Sequence, residues 1–318
     1  MNELKNILTR YVSVLGVGLL LLIIFGFSSP PSQEFDFTKH NVPLDQIFSG
    51  GPSKDGIPAI LKPVFIKAAD ATHLNERDRI LGLVEGTEAK AYPIKILNWH
   101  EIVNDSFAGK PVVVTYCPLC GTGIAFYPMV NERQLTFGVS GLLYQSDMVM
   151  YDHQTESLWS QISMEAIAGP MTGSTLPHIF LDHTTWGEWH EAHPTTLVLS
   201  TQTGVVRDYQ RDPYLGYAKR ADLLFPVNHK DSRLPTKAWV LGLKVGEVTK
   251  AYPFSELKKT ETPIHDFING QRVKIQFNAE TQSTSALDAS GKPLPTIQAF
   301  WFAWYAFHPQ TEIYSIPQ

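Results

Sequence analysis

Cysteine is nearly absent from this chain of 318 residues, which contains only Cys117 and Cys120. A multi-disulfide framework is therefore excluded, and so is a metal site built from four thiolates. Charge is sparse as well: Asp, Glu, Lys and Arg make up 18% of the chain, below the usual quarter or so. The formal net charge of -5 leaves no basic stripe, so no nucleic-acid partner is expected. No Gly-x-Ser-x-Gly elbow, phosphate-binding loop or dinucleotide fingerprint occurs, and no nucleotide cofactor is expected. These absences leave the catalytic residues, if there are any, unassigned.

The residues that are abundant suit a packed, strand-rich protein. The chain is 43% hydrophobic and 11% aromatic, and its 22 prolines and 22 glycines are spread along its length. That pattern predicts many turns and short strands in place of long helices. The expected fold class is α+β, mainly β, with two related β-rich halves and short helices.

The one long apolar run lies near the N-terminus. Lys5 and Arg10 precede an uncharged stretch over residues 11–27, and Ser28-Ser29-Pro30-Pro31-Ser32 follows it. A positive flank before an apolar run is the pattern of a signal peptide or signal-anchor. Residues 1–30 are expected to form an uncleaved anchor in the inner membrane, with the rest of the chain outside the cytoplasm. The alternative is a cleaved signal and a secreted or periplasmic protein. Residues 31–75 are expected to be an irregular lead-in.

An internal repeat organises the remainder. Ile80-Leu81-Gly82-Leu83, Gly86 and Lys90-Ala91-Tyr92-Pro93 return as Val240-Leu241-Gly242-Leu243, Gly246 and Lys250-Ala251-Tyr252-Pro253, at a constant spacing of 160 residues. Each copy reads strand, tight turn, strand, Tyr-Pro, short helix, turn, strand, with helices expected over residues 94–103 and 254–259. The first β-rich half is placed at 76–205 and the second at 206–318. Between the copies, residues 134–139, 141–144, 148–151, 158–162 and 197–200 read as strands. The aromatic run over residues 299–307 is expected to be buried on both faces.

Cys117 and Cys120 belong to the turn Tyr116-Cys117-Pro118-Leu119-Cys120-Gly121-Thr122-Gly123, delivered by the β-branched run Val112-Val113-Val114-Thr115. Carried onward, the repeat sets Cys117 against Asn278 and Cys120 against Thr281, so only the first copy has thiols. That asymmetry points to a special task for the first copy.

Several longer motifs resemble one bacterial family. They include Leu97-Asn98-Trp99-His100-Glu101-Ile102-Val103-Asn104-Asp105, the cysteine turn, Gly138-Val139-Ser140-Gly141-Leu142-Leu143-Tyr144 and Ser146-Asp147-Met148-Val149-Met150-Tyr151-Asp152. Thr155-Glu156-Ser157-Leu158-Trp159-Ser160-Gln161 and the terminal Phe-Trp-Phe-Ala-Trp run match it too. The family is catalogued as domain of unknown function 3179, and the resemblance covers roughly residues 40 to 310. It implies an exported or membrane-anchored bacterial protein and carries no agreed activity.

Three chemistries fit the cysteine turn. Cys-Pro-x-Cys-Gly is the sequence of a metal knuckle, in which the glycine accommodates positive φ. A thiol–disulfide oxidoreductase is the second reading, although a redox pair usually opens a helix and this turn leads into a strand-like run. The third is a non-catalytic ligand-binding or scaffold module with a structural disulfide.

The metal reading needs further ligands. His100 is the candidate third ligand beside Cys117 and Cys120, because its counterpart in the repeat is Thr260. Met148 and Met150 are further candidates, pointing the same way along one strand, while Asp147, Tyr144 and Asp152 could be ligands or support them. Thioether and thiolate together would select copper, slightly preferred here over zinc. His178, His183, His190 and His193 are read as structural.

Overall fold

Alternating aliphatic residues fold each repeat into a hairpin. Strand Arg79–Glu85 turns at Gly86 (φ 63°) into Glu88–Pro93, pairing Leu81 with Tyr92. Strand Trp239–Val245 turns at Gly246 (φ 61°) into Val248–Pro253, pairing Leu241 with Tyr252. Glycine adopts this left-handed conformation without the steric cost a Cβ brings. Each strand ends on a proline whose φ near -65° leads into a short helix, Ile94–His100 or Phe254–Leu257. The first helix is shorter than expected, because Glu101 takes φ 58° and a strand starts at Ile102.

A second hairpin and a third strand complete each copy. Ile102–Phe107, Lys110–Cys117 and Thr122–Phe126 correspond to Ile264–Ile268, Gln271–Asn278 and Ser283–Leu287. The two copies also share an ion pair tied to a tyrosine. Lys90 Nζ lies 3.0 Å from Asp105 and Tyr92 Oη donates to it at 2.6 Å, while Lys250 and Tyr252 hold Asp266 at 2.7 and 2.8 Å.

The repeat extends further than sequence spacing suggests. Strand Asp182–Thr185, helix Trp186–Ala192 and strand Leu197–Leu199 return to the first copy's sheet, as Thr296–Phe300, Trp301–Phe307 and Glu312–Ile313 return to the second's. Trp189 Nε1 donates to Thr196 Oγ1 at 2.9 Å, and Trp304 Nε1 donates to Thr311 Oγ1 at 2.9 Å. His193 and His308 lie against those indoles, with ring centroids 4.1 and 4.0 Å apart. The aromatic tail is thus a strand end followed by a helix that buries Trp301, Phe302, Ala303, Trp304 and Ala306.

Each anchoring indole rests on a glycine, Trp189 on Gly82 and Trp304 on Gly242, where a Cβ would overlap the ring. Gly82→Ala and Gly242→Ala are therefore each expected to destabilise by about 1–3 kcal/mol through overpacking. Chemical denaturation checks this, and unchanged midpoints in both variants would remove the close contact from the account.

The first copy alone carries an insertion, which sits in sequence between Thr122–Phe126 and Asp182–Thr185. Strands Phe137–Tyr144, Asp147–Asp152, Leu158–Ser160 and Glu165–Ala168 form a sheet with Ile47–Ser49 from the lead-in. Among the described residues there are five sheets of four or five strands, in a propeller-like arrangement that is mainly β, and a small two-stranded ribbon. The copies dock reciprocally. The turn after Cys120 lies beneath Trp239, and Arg79, the first copy's counterpart of Trp239, donates to the Thr281 carbonyl in the other turn.

The computed structural model describes residues 35–316, which form one compact unit. The apolar run over residues 11–27, with the anchor expected there, lies outside the described residues. Among the described residues no helix is long and apolar enough to cross a membrane.

Candidate metal centre

Strand Lys110–Cys117 is buried from Val112 onward and ends on the first thiol. A turn closed by the Cys120 N–H donating to the Cys117 carbonyl (3.2 Å) places the second thiol beside it. Gly121 follows with φ 68°, and the rings of Trp239 and Phe300 cover the position a Cβ would occupy. Phe300 N–H donates to the Cys120 carbonyl at 2.9 Å, fixing the turn against the second copy. Strand Thr122–Phe126 then begins directly, so no helix opens at the cysteines. Both cysteines are free, and they are 1% and 0% exposed.

The insertion contributes the third group. Gln145 and Ser146, at φ 54° and 64°, form the two-residue turn that joins Phe137–Tyr144 to Asp147–Asp152. Paired left-handed residues match the right-handed twist of the flanking strands, and they set Asp147 directly after the turn. Asp147 is fully buried. Its Oδ2 accepts the Ile162 N–H at 3.0 Å, and the carboxylate has no protein partner for Oδ1 other than the two thiols. One carboxylate oxygen of Asp147 and the sulfurs of Cys117 and Cys120 all lie within 4.8 Å of one another. The Cys120 thiol also donates to the Ser146 carbonyl at 3.4 Å.

Glu101 supplies a second buried acid. It caps the helix Ile94–His100 by donating its N–H to Leu97 O at 2.7 Å, and its own carbonyl accepts the Tyr116 N–H at 2.7 Å. Burial pushes its carboxyl up to about 8, helped by repulsion from Asp147. Burial raises Asp147 to about 7 against the pull of the Ile162 N–H. Both thiols are raised, again by burial first, with Asp147 adding to the effect on each. Burial and neighbouring acids drive these shifts upward, and no cationic side chain is among the main influences on any of the four. Tyr214 and Tyr217, from the irregular segment before the second copy, are raised by burial and by the charge of the same groups.

The structure does not bring His100 to the thiols. Its Nδ1 lies 2.7 Å from Pro58 O and its Nε2 lies 2.7 Å from Tyr209 Oη, so neither nitrogen is free to face a metal. Asp147, one of the several further candidates named from sequence, is the residue whose carboxylate lies with the two sulfurs. Asp152 is engaged with the backbone N–H groups of Gln154 and Thr155 and the Trp159 indole, where it holds the next turn together. Tyr144 packs edge-on against Phe307, with ring centroids 5.8 Å apart. Met148 and Met150 are buried in the same apolar cluster as the two cysteines. His190 stacks on Trp186 with ring centroids 4.8 Å apart, and His193 lies tilted against Trp189 at 4.1 Å.

Glu101, Tyr214 and Tyr217 were not singled out by sequence. Glu101 had one local signal, since an acid just past a helix C-terminus opposes the helix dipole. Tyr214 lies in a loop and Tyr217 opens a single 3-10 turn, Tyr217–Lys219, with no periodicity to place either.

Two thiolates and a carboxylate can hold a borderline divalent cation, and a tetrahedral ion would have one position left over. The fold and site thus define a duplicated β-sheet protein with a buried Cys-Cys-Asp centre in one copy only. The chain belongs to the family described as "Protein of unknown function (DUF3179)", whose profile matches residues 54–292. No curated protein and no solved structure matches it.

Proposed function

We propose that this is a metal-binding protein whose ion is held by Cys117 Sγ, Cys120 Sγ and the Asp147 carboxylate. The carrying observation is the concentration of acids. Two thiols and two carboxyls are buried close to one another, and among the described residues no cationic side chain is a main influence on any of them. Buried charge requires a partner, and a divalent ion would supply one where protons otherwise must. The carboxylate favours zinc over the copper expected from thioethers, because a hard oxygen suits zinc better than Cu(I). Copper remains the second reading, supported by Met148 and Met150 in the same cluster.

Thiol–disulfide exchange is less well supported. It needs an accessible thiolate, whereas these thiols are buried, raised in pKa and not followed by a helix. The N-terminal pattern of Lys5, Arg10 and the apolar run supports placement outside the cytoplasm, anchored to the inner membrane.

Metal analysis after loading with zinc or with Cu(I), then exhaustive dialysis, tests the reading. About one zinc per chain is expected for a single three-ligand site. Metal-free protein with a reversible Cys117–Cys120 disulfide would sink it in favour of redox exchange. A C-terminal alkaline phosphatase fusion tests location: activity is expected, and an inactive but intact fusion contradicts an extracytoplasmic domain.

A further inference from the structure

Polar groups beside the candidate centre lack partners of their own. Ser146 is wholly buried and its Oγ makes no hydrogen bond, although its carbonyl accepts from Cys120. Tyr217 is 6% exposed, and its Oη likewise has no partner. Its ring packs in the cluster that contains both cysteines. Lys237 holds this tyrosine in place, with Nζ donating to the carbonyls of Tyr217 (2.9 Å) and Asp222 (2.8 Å) and lying 3.4 Å from the ring centroid. The Asp147 carboxylate beside them faces both thiols.

A buried hydroxyl left without a partner costs on the order of 1–3 kcal/mol, so native proteins usually satisfy it with something, including bound water or an ion. Metal ligation accounts for the Asp147 oxygen but not for the hydroxyls of Ser146 and Tyr217. Both are donors, and donors around a cation site suit an anion attached to that cation. The ligand count agrees: Cys117, Cys120 and Asp147 leave one position of a tetrahedral ion to an external group.

Resting on the metal reading above, we propose that the fourth position takes a small anionic donor, of the hydroxide or monovalent-anion class, hydrogen-bonded by Tyr217 Oη and Ser146 Oγ. The protein then binds a small exchangeable ligand at an open metal position instead of holding a closed structural ion.

Cobalt(II) in place of zinc gives the test, with azide as the probe. The full chain loaded with cobalt is expected to show thiolate-to-cobalt charge transfer, and azide should shift its ligand-field bands saturably. Tyr217→Phe should weaken azide about tenfold, as expected for one lost hydrogen bond to a charged group, and Ser146→Ala should weaken it as well. Each variant must keep the charge-transfer band, which shows that the thiolates still bind the ion. If cobalt binds but azide leaves the wild-type spectrum unchanged, the open position is contradicted while the metal reading stands. Wild-type azide affinity in both variants also overturns the proposal. If no cobalt binds, both readings fall.

Discussion

Cys117→Ser protein, loaded with zinc and dialysed, is expected to retain no stoichiometric metal where the wild type retains about one ion. The reason is the short ligand list. Cys117, Cys120 and Asp147 are the one group of His, Cys, Asp and Glu atoms among the described residues that lie close enough together to share an ion. Changes to groups that merely support metal ligands cost tenfold to a hundredfold in affinity, so loss of one of three direct ligands should exceed about a hundredfold. Cys120→Ser should behave the same way. His100→Gln should keep its metal, because His100 is engaged by Pro58 and Tyr209. Zinc content equal to wild type in Cys117→Ser, or its loss in His100→Gln alone, would return the site to the arrangement first expected from sequence.

The metal-free protein should lose stability as pH rises, through Glu101 and Asp147. In the fold they titrate near 8 and near 7, whereas in an unfolded chain both titrate near 4. Between those limits the folded state holds protons that the unfolded state has released. The stability these groups contribute is fully present below about pH 4 and is lost progressively up to about pH 8. Each group's share is on the order of a few kcal/mol. Comparing chelator-treated wild type with Glu101→Gln isolates one share. The variant should gain on the wild type between pH 5 and pH 8, read from urea denaturation at both values. Zinc should reverse the trend in the wild type, because it replaces the protons that the acids must otherwise keep. Parallel pH profiles for wild type and variant would mean that Glu101 is not held protonated by burial.

Much of this scaffold is legible in sequence. Glycine at 86 and 246, Tyr-Pro at 92–93 and 252–253, and the flanking aliphatic residues mark a repeat that the strands follow. The return to each sheet is harder to see. Trp189 with His193, Pro194 and Thr196 mirrors Trp304 with His308, Pro309 and Thr311, but the insertion in the first copy shortens the spacing between these pairs. That same insertion supplies Asp147 through a two-residue turn, which brings it beside cysteines nearly thirty positions earlier. Long-range placement of this kind leaves no local periodicity, so Asp147 was legible only as one of several candidates. The expectation for His100 came from its absence in the second copy. The structure gives that residue another task, tying the helix Ile94–His100 to the lead-in at Pro58 and to the loop at Tyr209. The repeat position opposite the thiols has its own solution, in which Asn278 Oδ1 accepts from the N–H groups of Glu280 and Thr281. The second copy thus closes its turn with a side-chain amide.

X-ray absorption at the metal edge of zinc-loaded wild-type protein addresses the central claim most directly. A buried Cys117–Cys120–Asp147 centre predicts two sulfur scatterers at about 2.3 Å together with oxygen scatterers at about 2.0–2.2 Å. A shell of nitrogen and oxygen alone, with no sulfur, would contradict it.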